Sequence, residues 1–518
     1  MRRILLLSIL IFSVSNLWAQ VEISGDITSN TTWTADQEYL LTGQTFVKAP
    51  ATLTIEPGTV IKSNEDDGSG LAPALVIERG AKIIADGTAD APITFTSNLP
   101  ADQLPARGTW GGLIILGNAP INPEGGESFV EGLVGVPYGG NDPHDDSGVL
   151  RYVRVWYGGR SIGQDNEING ISFAGVGDGT TVEYCEVAWN LDDGYEFFGG
   201  TVNVKYLTAL FVADDCFDTD LGYQGKAQFL FGIQGQEACG RGFEMDNDGN
   251  DMNNQPRSYP QFANVTLVGP GGGNPAGDGS DQMIRLREGT GGDFRNIIVT
   301  EGNNIGIRIT DAPTLALLGD SLNFSSNNFV YGNAGPMFDP DTSVLTARNE
   351  DPQLRSLDGR ETGGIIDPRP AAGSPAMTGG ETLPNDGFFT QVDYSGAFDE
   401  GLWIKKWSIL DMQGRLPAGA PTPIADERTN VPMSFQVAAY PNPFNPATTI
   451  QFTLEQNSPV KMVVYNARGQ QVLSQVHQNM EAGMHEFRFD GTQLSSGIYF
   501  IRLQTKQHVG LTKVTLMK

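Results

Sequence analysis

The sequence predicts an all-β chain: a stacked β-solenoid over most of its length, followed by a small immunoglobulin-like antiparallel sandwich. Three observations predict it. An acidic pattern recurs at a constant offset of 22, pairing Asp192 with Asp214, Asp193 with Asp215 and Glu196 with Asp218. A period near that length, joining short β-rich runs through Gly and Asp/Asn turns, is what stacked coils produce, because each coil must return above the last. No segment before residue 417 sustains an apolar 3.6 period, so helices are few. After the Pro-rich stretch Pro417 to Pro432, the chain ends in alternating strands broken by the turns Ala467-Arg468-Gly469 and Asp490-Gly491.

The first residues set an address. Met1-Arg2-Arg3, the apolar run Ile4 to Val14 and the small Ala19 before Gln20 have the order of a secretory signal peptide, which places residues 1–19 outside the mature chain. No later stretch approaches about 18 uninterrupted apolar residues, so no membrane span is expected. Acids outnumber bases 61 to 33, and the net charge of −28 excludes nucleic acid and anionic membrane surfaces as partners. Cations, basic partners and neutral sugars remain. Cys185, Cys216 and Cys239 are too few for a disulfide scaffold, so the core must stabilise the fold. Cys216 and Cys239 both border the acidic stretch and are the candidate bridge, the alternative being three small buried residues.

Along residues 20–416, Ala51 to Ile61 and Ala74 to Ile84 share a layout of strand, Gly turn, strand, with Pro57-Gly58 and Arg79-Gly80 as the turns. Pro92 to Ser97 starts another strand and Trp110 to Gly117 the next coil. Asn118 to Asp146 is a long polar excursion, a length that is functional or disordered in a compact array. The pattern resumes at Leu150–Trp156, Val182–Val187, Val204–Ala209, Phe262–Leu267 and Phe294–Val299, and Asn327–Gly332 is the last recognisable coil. Residues 339–384 lose it. The aromatic run Phe388, Phe389, Tyr394, Phe398, Trp403 and Trp407 is expected to cap the solenoid end, since stacked repeats need an atypical terminal cover.

Residues 417–435 form a stiff linker. Beyond it, residues 436–518 hold four acids and seven bases, so this module is +3 while the rest of the mature chain stands near −33. Two such balances argue for two modules with separate tasks. The C-terminal one opens Tyr440-Pro441-Asn442-Pro443-Phe444-Asn445-Pro446, carries Val464-Tyr465-Asn466 with Gly469-Gln470 and Leu494-Ser495-Ser496-Gly497-Ile498-Tyr499, and closes on Lys513 to Lys518. From Tyr440 to Lys518 it closely resembles the type A C-terminal sorting domain of bacterial type IX secretion. The resemblance implies export by the signal peptide, recognition of Pro441 to Pro446, Gly497, Tyr499 and Lys513 by the type IX machinery, removal of the domain, and release or attachment at the cell surface.

The preceding module resembles secreted right-handed parallel β-helix proteins, on Trp110-Gly111-Gly112, Asp192-Asp193-Gly194 and Phe217-Asp218-Thr219-Asp220. That resemblance implies a fold and no particular activity.

Stacked coils place acids about 4.8 Å apart, where carboxylates repel, so the ladder asks for a metal ion, a basic partner or plentiful water. Calcium is the expected cofactor, with Asp192, Asp193, Glu196, Asp214, Asp215, Asp218, Asp220, Glu244, Asp246 and Asp248 as candidate ligands. Glu244, Asp246, Asp248 and Gly249 stand at offsets one, three, five and six of an EF-type loop, but position twelve is Gln255. An alternative reading is a polysaccharide lyase or glycoside hydrolase working in a shallow groove. Asp193, Asp215 and Asp218 would then be the acids, Arg241, Arg285 or Arg287 the basic group, and Trp156, Tyr157, Trp189 and Tyr195 the sugar platforms, although core or ladder positions are the expected fate of most such aromatics. The third reading is an adhesin or surface-layer component whose ladder binds ions that stiffen the rod or bridge it to neighbours, and a secreted, calcium-dependent β-helix with such a binding or structural task, its ligand a surface glycan or protein, is the function expected ahead of the enzyme. The one histidine before residue 417, His144, has no partner set for nucleophilic or zinc chemistry.

Overall fold

The computed structural model describes residues 20–66, 71–163, 166–271, 281–357, 360, 363–422, 438–440, 442–454, 457–466, 471–480, 483–505 and 509–518. The expected signal peptide, residues 423–435 of the linker, Pro441 and the turn at 467–469 lie outside them. Two compact units form, Met1–Thr422 and Pro423–Lys518.

The first unit is a parallel β-helix. Its strands run parallel in two long sheets, one of sixteen strands and one of ten. Alternation decides which side chains enter the coil: in Thr52–Ile55, Leu53 and Ile55 are buried inside while Thr52 and Thr54 stay half-buried outside. Parallel register puts like residues above one another, so the interior stacks Phe173 on Phe197 and Tyr195 on Phe217, each pair at 5.3 Å between ring centres. One continuous core runs from Trp33 to Leu345. The stack continues past the last coil expected from the sequence, because Phe338–Asp339 adds a rung on Ile305–Ile309.

The excursion at 118–146 is not a free loop. It carries a short hairpin, Ser128–Phe129 with Pro137–Tyr138, and buries Ile121, Val130 and Tyr138 against Val76, Ile114, Leu116 and Ala174 on the outer face of the ten-stranded sheet. The aromatic run does not cap the end, as the sequence suggested. Trp403, Trp407 and Phe398 pack sideways on Tyr184, Leu210, Phe211 and Phe231 of the sixteen-stranded sheet, whose outer face is too apolar to leave in water. Cys216 and Cys239 are buried thiols instead of the expected bridge, both fully enclosed in the coil wall, where packing supplies the stability.

The second unit is an antiparallel sandwich of a three-stranded and a four-stranded sheet, with Phe452, Met462, Val464, Phe489, Ile501 and Val514 in its core. Its opening motif has a structural job. Asn442 clamps the last strand, donating from Nδ2 to the Lys513 carbonyl at 2.8 Å and accepting from the Thr515 amide at 2.9 Å. Phe444 is buried beside it and bonds through its backbone to Thr515 and Met517. Tyr499 is buried with its hydroxyl on the Ser495 carbonyl, and Gly497 pairs with Leu516. Pro443, Asn445 and Pro446 stay exposed.

Candidate functional site

The ten-stranded sheet turns alternate residues outward, and from the fifth rung, Tyr195–Phe198, one outward column is charged. Ser172 lies opposite Glu196, Glu196 opposite Asp218, Asp218 opposite Glu244, Glu244 opposite Arg285 and Arg285 opposite Arg308. Two positions along the strands, Asp220 is followed by Asp246 and Arg287, joined by the amide of Asp246 to Thr219 and of Arg287 to Met245. In the turn leading into the sheet a third column forms: the Asp215 amide donates to Asp193 Oδ1 at 2.9 Å, and the Arg241 amide donates to Asp215 Oδ1. Each column of acids therefore runs into arginine, and in the first Asp339 follows Arg308 on the last rung.

Those arginines hold the lower acids. Arg241 bridges Asp215 at 3.0 Å and Glu244 at 2.7 Å, Arg285 and Arg287 reach Glu244 at 3.3 and 3.2 Å, and Arg287 pairs with Asp246 at 2.7 Å. Gly240 makes room for this turn, since a Cβ there would stand 2.1 Å from Asp214 Oδ1 and 2.6 Å from Asp215 Oδ1. Burial opposes ionisation of Glu244, but its bond to Asp215 and the Arg241, Arg287 and Arg285 guanidiniums hold its carboxyl below the usual range.

One coil up, acids face acids. Three overlapping groups bring a carboxylate oxygen from each member within 4.8 Å of the others: Asp192, Asp193 and Asp214; Asp193, Glu196 and Asp218; Asp215, Asp218 and Glu244. Burial pushes Asp193 well above the ordinary carboxylate range, and Asp192, Asp215, Asp218 and Asp214 push it the same way. Asp192 is raised by burial and then by Asp214, Glu167 and Glu131; Glu196 by burial and then by Asp192, Asp220 and Glu131. Asp218 is raised by burial and then by Glu196, Glu244, Asp246 and Asp215; as a residue it is half-buried, but its Oδ1 is fully shielded and accepts no hydrogen bond. Asp220 rises to about 7, chiefly through burial.

Asn169, only 4% exposed, reaches into the second group, its Nδ2 donating to Glu196 Oε2 and its Oδ1 buried without a partner. Ser172 heads the Glu196 column. Sequence reasoning missed both, along with Glu131 and Glu167. Ser172 was within reach, because Gly170-Ile171-Ser172-Phe173 aligns with Gly194-Tyr195-Glu196-Phe197. Glu131 and Glu167 come from excursions with no repeat to mark them.

Other expected residues are placed elsewhere. Asp248 turns away to accept from the amides of Asn250 and Asp251 and from Asn254 Nδ2, while Glu244 and Asp246 face the arginines. The EF-type spacing is therefore strand alternation and an Asp turn, not one wrapped loop. Trp156, Tyr157 and Trp189 lie in the apolar layer outside the sixteen-stranded sheet, and Tyr195 is in the coil interior, so no expected sugar platform borders the acids.

A parallel β-helix joined to an antiparallel sorting sandwich defines a class: secreted proteins delivered across the outer membrane to the cell surface or the extracellular space. Residues 25–351 match the pectate-lyase-like beta helix domain, and the chain belongs to that family. Residues 438–517 match the secretion system C-terminal sorting domain, which hands the chain to type IX secretion. Among solved structures, full-length tailspike protein 2 of an Escherichia coli O157:H7 bacteriophage is similar at 10% identity and a TM-score of 0.23, over 93% of this chain and 64% of that one. This chain thus spans just under two thirds of that tailspike. The enzymatically active domain of the bacteriophage CBA120 tailspike protein 2 is similar at 10% identity and a TM-score of 0.22, over 92% of this chain and 72% of that one. No curated protein matches. Among the described residues no helix is long and apolar enough to cross a membrane.

Proposed function

We propose that this is a secreted β-helix whose acidic ladder binds calcium, and that the ion-loaded face serves a binding, adhesive or structural task at the cell surface. One observation carries the reading. Asp215, Asp218 and Glu244 repeat, one coil on, the arrangement of Asp193, Glu196 and Asp218, and the lower group already contains a cation, the Arg241 guanidinium. In the upper column the position of Arg241 is taken by Asp215, so the upper group has the same acids without the built-in charge. A hard divalent ion takes oxygen ligands at about 2.4 Å, so oxygens up to about 4.8 Å apart fit around one. Glu196, Asp193, Asp218 and the Asn169 carbonyl supply the donors, and an ion there would reverse the upward shifts of these carboxyls.

The test is thermal unfolding of the purified mature chain. Calcium raises Tm and chelation lowers it, with the difference lost in D193N/D218N. An unchanged Tm on chelation contradicts the reading. The facing carboxylates also favour a second reading. Glu196 and Asp218 stand opposite one another on adjacent strands, and a facing pair of carboxyl groups is what retaining glycosidases use. Appearance of reducing or unsaturated sugar ends from acidic or neutral glycans would establish that activity.

A further inference from the structure

The outer face of the sixteen-stranded sheet carries a column of backbone positions that side chains rarely occupy. Tyr152, Tyr184, Tyr206, Phe229, Asn264 and Asn296 all adopt left-handed φ, from 50 to 61°. They fall on six consecutive rungs, at the point where the register skips: Arg151 pairs with Glu183 and Val153 with Cys185, leaving Tyr152 and Tyr184 between them, and the later rungs repeat this. A strained conformation repeated on rung after rung persists only where the surroundings hold it.

What holds it is one segment. The four aromatic members stack at 4.6, 4.3 and 4.8 Å, and Trp403 and Trp407 meet the three tyrosines edge-on. The two asparagines read the backbone of the same segment: Asn264 Nδ2 donates to the Tyr394 carbonyl, and Asn296 both donates to the Glu381 carbonyl and accepts from the Glu381 amide. Gln228 makes the same two-way clamp on Thr390. At the other end Arg154 donates to the Trp407 carbonyl, and Glu186, wholly buried, accepts from the Ile409 amide. Each rung from Gly148–Trp156 to Gly292–Arg295 is thus tied to residues 379–420.

In a solenoid each coil touches only its neighbours, so coils can unfold one after another. A segment bonded to six of them couples rungs that share no other contact. We propose that residues 379–420 are a longitudinal clasp that docks on the finished coils and makes those six rungs unfold as one body. This is independent of any ion on the opposite sheet.

The test uses the full chain with a protease site inserted between Thr378 and Gly379, where the backbone is exposed. After cleavage the two pieces are expected to co-elute on gel filtration, and denaturant-dependent hydrogen exchange to show the six rungs opening together. In W403A/W407A the pieces should separate, and the six rungs should lose protection at different denaturant concentrations. N296G keeps the left-handed backbone and removes the side-chain bonds of that position to Glu381; it should spread the exchange midpoint of the rung at 292–300 away from the rest, which keeps the test usable if the tryptophan variant does not fold. The proposal is overturned if the cleaved wild type sheds the segment while the rungs keep their protection, or if both variants still open all six rungs at one midpoint.

Discussion

Replacing Arg241 with alanine converts the lower acidic group into a copy of the upper one. Arg241, 8% exposed, is in ion-pair contact with Asp215 and Glu244, themselves 1% and 7% exposed. Removing one partner of a buried pair leaves an uncompensated charge, a loss of about 3–5 kcal/mol. Arg285 and Arg287 still reach Glu244, which places R241A toward the lower end, ~3 kcal/mol. The unfolding entropy per residue makes that a fall of roughly 7 °C for a cooperative body of about 200 residues, the six rungs and their clasp. The assay is differential scanning calorimetry of the mature chain in chelator and in calcium. Calcium should restore much of the loss in R241A, because Asp215, Asp218 and Glu244 would then bind an ion in place of the guanidinium. A variant that melts like the wild type in chelator, or one that calcium leaves untouched, refutes the idea that the ladder needs a cation at this level.

Other outcomes follow from the same contacts. Without calcium, D193N should raise Tm, since it removes a buried acid that Asp192, Asp215 and Asp218 disfavour, and with calcium it should lower Tm; the same sign under both conditions would count against an ion at that position. Glu186 gives a pH effect on the other sheet: burial lifts its folded pKa to about 7 from 4.5, so its contribution is complete below about 4.5 and is lost as pH rises through about 7. That is ~3 kcal/mol, so E186Q should match the wild type at pH 4.5 and exceed it in stability at pH 8, as measured by urea denaturation. I501A empties a fully buried position of the sandwich and should cost about 2–5 kcal/mol in the C-terminal unit, while the β-helix transition stays in place.

Much of the architecture was readable because a parallel stack keeps a near-constant spacing wherever a coil carries no excursion. The offset of 22 between Glu196 and Asp218 is their register in the sheet, and the alternation in Tyr195-Glu196-Phe197 already says which residue faces out. The arginines of the columns were harder to find. Arg285 lies 41 residues after Glu244, because excursions lengthen that coil, so the pairing cannot be counted off. The side-docked aromatic segment was hidden for a different reason. Trp403 and Trp407 announce burial, but an irregular chain carries no period to say whether it covers an end or a flank, and only the outward Tyr152, Tyr184 and Tyr206 reveal the partner face. The EF-type spacing at Glu244 misled because a strand and an Asp turn happen to place oxygens at the same offsets.

The most direct test of the cation ladder is an anomalous difference map from crystals of the mature chain grown with calcium or a lanthanide substitute. The account predicts a peak bounded by Asp193, Glu196, Asp218 and Asn169, with oxygen distances of about 2.3–2.6 Å. A map with no peak there, and with Glu196 and Asp218 sharing a proton across a direct hydrogen bond, would contradict it.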